Sequence, residues 1–268
     1  MQWSGSGPTD MPKIAVVAAL EREISGLTKG WSRVEREHEG RSFVFFERDE
    51  MVAVCGGIGV AAARRAAEAV IALYSPVIVQ SVGFAGALDA GLHVGDIFMP
   101  AVVVDARDGS RVEIGGRDRE GLLVTFMAVA SVAQKANLAQ AYGARVVDME
   151  AAAVANAANA HGIKFAATKV ISDELNFEMP QMDRFIGPLG RFRTGSFMGF
   201  VALRPWLWRR VAALASNSRK AARMLGEHLE RFRHEPSPAS DQIPAPLATI
   251  RRTPQTAAKG GLRAGGRE

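Results

Sequence analysis

The sequence predicts an α/β fold around a largely parallel central sheet. Three observations predict it. Short apolar runs alternate with helical patterns between about Lys13 and Phe232. Glycine clusters follow two of the runs, and acidic residues stand where several of them end.

Taken in order, Ile14–Ala19 reads as a buried strand, followed by an acid-rich helix start at Glu21. Phe43–Glu47 and Met51–Cys55 read as a hairpin turning through Asp49 and Glu50. Gly56-Gly57-Ile58-Gly59 then opens an Ala-rich helix from Val60 to Tyr74. Pro76–Val82 is a strand ending in the glycine turn Gly83-Phe84-Ala85-Gly86, and Asp96–Val104 is another. Leu122–Thr125 and Val146–Asp148 are short strands. Ala151–His161 is a helix that Gly162 stops at the usual position. Phe165–Ile171 is a further strand, and Trp206–Phe232 a long amphipathic helix. Residues 1–12 have turn chemistry and read as a flexible leader. Residues 13–233 form the folded body. Residues 234–268, rich in Pro, Ala, Ser, Gly and Arg, read as a disordered basic tail.

Composition excludes several classes. Of 268 residues, 48% are hydrophobic and 23% charged, which suits one large core rather than a disordered chain. No apolar run reaches the ~18 residues of a spanning helix. No basic-then-apolar start suggests a secretory signal. Cys55 is alone, and the five histidines lack metal-ligand spacing, so neither a disulfide framework nor a structural metal is expected. These features predict a cytoplasmic protein. The net charge of +5 is uneven: residues 1–203 balance at −3 and the excess lies beyond them. No aromatic-interleaved basic module accompanies it, so nucleic acid is not an expected partner.

In open α/β sheets ligands bind beyond the carboxyl ends of the strands. Glu23, Glu150 and Asp173 each follow an apolar strand. Three carboxylates on one crevice can do glycosyl chemistry, which needs an acid for the leaving group and a carboxylate for water or hydroxyl groups. Each is equally readable as a helix-start or capping carboxylate, and Asp148 leans to that structural role. Gly57-Ile58-Gly59-Val60-Ala61-Ala62 matches a relaxed dinucleotide fingerprint, but Gln80 and Ser81 stand where a ribose-binding acid belongs. A tight turn is the better reading.

Together these segments resemble the nucleoside phosphorylase/nucleosidase superfamily, in particular its 5′-methylthioadenosine/S-adenosylhomocysteine nucleosidases. The resemblance rests on Ile14 to Glu23, Gly57-Ile58-Gly59, Ser81 to Leu88, Gly95-Asp96-Ile97, Val147 to Ala153, and Ile171-Ser172-Asp173, in register over roughly residues 13–175. It implies a single three-layer α/β domain with a mixed, mostly parallel twisted sheet, and a homo-oligomer, a dimer. It implies no metal or organic cofactor. Asp173 corresponds to the acid that protonates the purine, with Ser172 orienting it. Glu150 corresponds to the carboxylate on the ribose hydroxyls, with Met149 under the sugar. Glu23 corresponds to the acid that activates water. Gly83, Phe84, Ala85, Phe126, Val129 and Asn176 fall at substrate-facing positions. Asp173 must hold a proton near neutral pH, so its site is expected to be dry.

The resemblance implies hydrolysis of an adenine nucleoside, with the base released. Glu23 would repel a phosphate dianion, and the turn at Gly83 lacks an arginine, which argues against the alternative of a purine nucleoside phosphorylase. Arg64 and Arg65 read as surface residues. Phe84 replaces a usual serine and Val129 a usual aromatic, so the substrate is less defined than the reaction. A second alternative is a nucleosidase for a lipid-linked adenosyl substrate of the hopanoid type, for which Trp206-Leu207-Trp208-Arg209-Arg210 would touch a membrane surface. The sequence favours these tryptophans as anchors of the last helix on the body. The non-enzymatic alternative is a nucleoside-binding protein, against which stand the three retained acids.

Overall fold

The computed structural model describes residues 14–116, 118–180 and 182–234. The expected leader and nearly all of the expected tail lie outside the described residues. Eleven strands join one mixed sheet flanked by helices. β1 (Ile14–Ala18) lies between β4 (Met51–Cys55) and β5 (Ile78–Ala87), parallel to both. β11 (Lys164–Asp173) runs parallel along the other edge of β5. β10 (Val146–Asp148) is parallel to β9 (Leu122–Thr125), which is parallel to β7 (Val102–Asp105). Antiparallel pairings finish the margins through β2 (Ser32–His38), β3 (Arg41–Arg48), β6 (Ile97–Phe98) and β8 (Arg111–Glu113).

The arrangement of β5 positions the site. Its first half pairs with β1 as far as Ser81, and its end pairs antiparallel with β10 at Gly86 and Ala87. On that edge the partner changes in the middle of the strand. The chain therefore parts between the carboxyl ends of β1 and β10, the kind of switch point where α/β sheets open a crevice.

Two layers of helix close the faces. On one face α2 (Val60–Tyr74) and α4 (Ala151–Ala160) bury Ala63, Ala66, Ala67, Ala153, Ala157 and Ala158 against β1, β3 and β4. Alanine lets helix and sheet backbones approach closely while the interior stays close-packed. On the other face α1 (Glu21–Ile24), the turn after it and α6 (Pro205–His234) cover β1 and β11 with Ile24, Leu27, Ala221, Leu225 and Leu229. At their crossing Gly26 meets Gly226, where an added Cβ would come within 3.0 Å of the facing backbone. A small satellite core of Phe185, Phe197 and Val201 holds α5 (Thr194–Ala202) beside α6.

Several expectations are corrected. Gly83-Phe84-Ala85-Gly86 belongs to β5 rather than to a turn after it. Asp96–Val104 is two strands, β6 and β7, because the chain leaves one neighbour and joins another around Pro100. β2, α3 (Val132–Tyr142) and α5 have no counterpart in the sequence reading. Trp206 does not anchor α6 on the body, being 71% exposed, and Trp208, 54% exposed, ties it only through its Nε1 to the Val201 carbonyl of α5. The satellite core beneath is already filled by phenylalanines.

Candidate active site

The predicted acids lie around β5 and the carboxyl ends of β1, β10 and β11: Glu23 against Gly83, Asp173 against Gly86, and Glu150 within the field of Glu23. Glu23 comes from the one-turn helix α1 and is buried. Its Oε2 accepts hydrogen bonds from the amides of Ala19 at 3.0 Å and Leu20 at 2.9 Å. The capping role considered for it is therefore real. Its Oε1 carries one long bond, from the Phe84 amide at 3.4 Å, and retains acceptor capacity. Burial raises its pKa, against the lowering effect of these amides and of Lys169.

Glu150 sits where β10 enters α4. Its carboxylate accepts from the Gly59 amide at 2.8 Å and the Met149 amide at 3.2 Å. The glycine loop thus serves the carboxylate, not a dinucleotide. Burial, and next the charge of Asp148, push the Glu150 pKa up to about 8. Linkage gives the sign. In the unfolded chain this group titrates near 4.5, so between there and about pH 8 the native state binds the extra proton. Its stabilising contribution is complete below pH 4.5 and is lost as pH rises through 8; the raised Glu23 acts in the same sense. Urea midpoints measured from pH 5 to 9 should fall for the wild type and fall less for Glu150→Gln. Equal slopes would contradict this.

Asp173 ends β11, just past a register shift, and is buried. Ser172 Oγ donates to its Oδ1 at 2.8 Å, as the resemblance implies, and lies 3.4 Å from the Ala85 carbonyl. The sequence reading missed the other partner. Lys135 Nζ, from α3, lies 2.5 Å from Oδ2 and donates to the Glu174 carbonyl at 2.7 Å. Lys135 is 1% exposed. The dry environment expected around Asp173 is present, but it also contains an ammonium group.

Two glycines of β5 explain how carboxylates fit against a packed strand. A Cβ on Gly83, whose φ is +151°, would lie 3.1 Å from Glu23 Oε2. A Cβ on Gly86 would lie 2.8 Å from Asp173 Oδ2 and 3.2 Å from Lys135 Cε. The two carboxylates therefore occupy side-chain space along one strand, three residues apart. Gly86→Ala should displace the Asp173–Lys135 pair. Overpacking of this kind costs about 1–3 kcal/mol, and any turnover should fall at least tenfold; unchanged turnover would show that the pair tolerates displacement.

Lys169 forms a second buried ion pair. Its Nζ lies 2.8 Å from Asp148 Oδ2 and 3.0 Å from Ser81 Oγ. Asp148 also accepts from Thr125 Oγ1 at 2.7 Å and the Ala151 amide at 2.8 Å. It ties β9, β11 and the start of α4 together, the structural role the sequence favoured. Lys169 sits within the fields of Asp148, Glu150 and Glu23, offsetting part of their mutual repulsion.

The remaining sequence candidates divide. Met149 stands next to Glu150 through its amide, and the Ala85 carbonyl faces Ser172 Oγ rather than an acid. Phe84 lies beside Glu23 with the Arg22 guanidinium 5.6 Å over its ring. Phe126 packs against the peripheral core around Leu88, Val104 and Leu138. The Val129 amide donates to Asp183 at 2.9 Å. Asn176 lines a 560 Å³ groove with Leu92, Val94, Asn217 and Lys220. A larger groove of 1030 Å³ between α1 and α6 is lined by Arg22, Arg219, Arg223 and Arg231, and none of the three acids lines it. Arg64 is on the surface, 2.8 Å from Glu68. Among the described residues no cluster of three or more His, Cys, Asp or Glu could hold a metal ion.

Comparisons with known proteins agree with this architecture. The family model described as the Phosphorylase superfamily matches residues 13–130 and 123–185. The 5′-methylthioadenosine/S-adenosylhomocysteine nucleosidase of Helicobacter pylori, solved with butyl-thio-DADMe-Immucillin-A, is 18% identical at a TM-score of 0.58. That match covers 82% of this chain and 99% of the other. Futalosine hydrolase of the same organism is 18% identical at 0.58, covering 82% and 98%. The nucleosidase of Neisseria meningitidis, solved with methylthio-immucillin-A, is 21% identical at 0.55, covering 80% and 98%. No curated protein sequence matches the chain. At these identities the solved structures establish the shared fold. The family match, which spans well over half of the sequence, establishes that this chain belongs to the Phosphorylase superfamily.

Proposed function

We propose that this protein hydrolyses the N-ribosidic bond of a purine nucleoside, an adenine nucleoside such as methylthioadenosine or S-adenosylhomocysteine, and releases the base. The observation that carries the reading is the set of three carboxylates around the β5 crevice, each held by different polar partners. Glu23 has Oε2 saturated by two amides and Oε1 open to a water. Burial makes it a stronger base than an ordinary carboxylate. Glu150, fixed by the Gly59 and Met149 amides, receives the ribose hydroxyls, and its ionised form favours the positive charge that develops on the ring. Asp173, protonated once the nucleoside is bound, gives that proton to the base as the bond breaks and returns to the carboxylate paired with Lys135 and Ser172. The negative charge then appearing on its oxygens is met by Lys135 and Ser172, which favours proton transfer.

Water as nucleophile is supported by the same geometry. A phosphate dianion would face the Glu23 carboxylate, and Arg64, a conceivable counter-ion, is on the surface with Glu68. The test is base release from methylthioadenosine, S-adenosylhomocysteine, adenosine and inosine, each with and without phosphate. The reading expects phosphate-independent release of adenine, and the ranking defines the 5′ pocket. Strict dependence on phosphate would assign a phosphorylase, and binding of all four without release would assign a nucleoside-binding protein.

A further inference from the structure

The segment from Arg184 to Arg210 differs from the rest of the chain. These 27 residues contain six arginines and no Asp, Glu or Lys, whereas residues 1–183 balance at −6. The segment also carries five of the seven large hydrophobic side chains exposed among the described residues: Leu189, Met198, Leu203, Trp206 and Trp208, with Leu203 78% exposed. Monomeric proteins seldom expose such a cluster without using it.

The local structure fixes these groups at a corner. α5 buries Phe197 and Val201 in the satellite core and leaves Met198 outward. Arg184 and Arg204 lie 3.8 Å and 3.7 Å over the Phe200 ring, and Arg204 also donates to the Phe200 carbonyl at 2.9 Å. Trp208 Nε1 donates to the Val201 carbonyl at 3.0 Å, which satisfies its polar end and leaves its ring to the outside. Arg210 pairs with the exposed Glu178 at 2.8 Å. Arg191, Arg193 and Arg209 are exposed.

We propose that this α5–α6 corner docks the protein on an anionic lipid surface. Exposed Trp, Leu and Met match the interfacial zone of a bilayer, where tryptophan is favoured, and arginines match acidic headgroups. No helix among the described residues is long and apolar enough to cross a membrane, so the contact is peripheral. A second copy of the chain is a poorer occupant. A two-fold interface centred here would set this arginine-rich surface, whose paired acid is Glu178 on Arg210, against itself. The same segment reaches the glycine loop of the site, where the Ile58 amide donates to the Gly190 carbonyl at 2.8 Å. The inference rests on this surface and not on the reaction proposed above.

The test is sedimentation of the full chain with vesicles of phosphatidylcholine alone or mixed with phosphatidylglycerol. Binding is expected to the mixed vesicles and to weaken as salt rises. Charge reversal at Arg193 and Arg209 should weaken it at least fivefold per site. Leu203→Glu with Trp206→Glu should abolish it while circular dichroism and melting stay unchanged. No binding to the mixed vesicles at low salt would overturn the proposal. So would binding untouched by either pair of variants, a Trp206-dependent dimer in sedimentation velocity without vesicle binding, or binding to an oligonucleotide but not to vesicles.

Discussion

Asp173→Asn should reduce base release by about 10²–10⁴-fold, the usual share of a general acid, while a nucleoside analogue still binds. The amide keeps the shape and the Ser172 contact but has no acidic proton to give. A second effect separates this account from a generic loss of function. The substitution leaves the Lys135 ammonium buried without its carboxylate, and removing one member of a buried pair costs about 3–5 kcal/mol. The Glu174 carbonyl that also accepts from Lys135 reduces this cost. Thermal melting of Asp173→Asn should therefore fall, and the double variant Asp173→Asn/Lys135→Met should regain stability without regaining turnover. Near-wild-type turnover in Asp173→Asn would remove it as the acid. Recovered turnover in the double variant would mean that the single variant failed by unfolding.

Glu23→Gln should lower hydrolysis by a similar factor, about 10²–10⁴, and leave nucleoside binding largely intact. The glutamine carbonyl can still accept from the Ala19 and Leu20 amides, so α1 keeps its start. What is lost is a base for water. Where these acids are ionised the substitution also relieves repulsion within the group of Glu23, Asp148 and Glu150, so the variant should lose less melting temperature than wild type as pH rises. Full hydrolysis in Glu23→Gln would move water activation elsewhere. A variant that gains phosphate-dependent cleavage would show that this carboxylate excludes the dianion.

Much of the sheet was readable because its interior strands are short apolar runs bounded by turn residues. β9, β10 and α2 fall at their sequence-read limits. β2 was not readable: it lies at the sheet edge, and Ser32–His38 carries mostly charged, exposed side chains. Gly83 and Gly86 look like a turn in sequence, but their meaning is tertiary, since carboxylates from α1 and β11 fill the space that side chains would take. The three acids stand out in the sequence because each follows an apolar strand. Lys135 does not, because lysine in a weakly amphipathic helix is ordinarily a surface residue. A signal for α3 was available in the capping pair Ser131 and Gln134, where the Gln134 amide donates to Ser131 Oγ and the Ser131 amide donates back to Gln134 Oε1. That pair predicts the helix without predicting that its lysine turns inward to Asp173. Lys169 was more visible, as a charged residue inside the apolar strand that ends at Asp173.

The most direct test of the proposed chemistry is the fate of C1′ of the sugar. Methylthioadenosine would be incubated with the protein in ¹⁸O-labelled water, with and without phosphate, and the sugar product analysed by mass spectrometry. A free sugar bearing the label, formed at the same rate in both buffers together with adenine, is the result this account predicts. Release of adenine only in phosphate, with an unlabelled sugar 1-phosphate as the product, would contradict it.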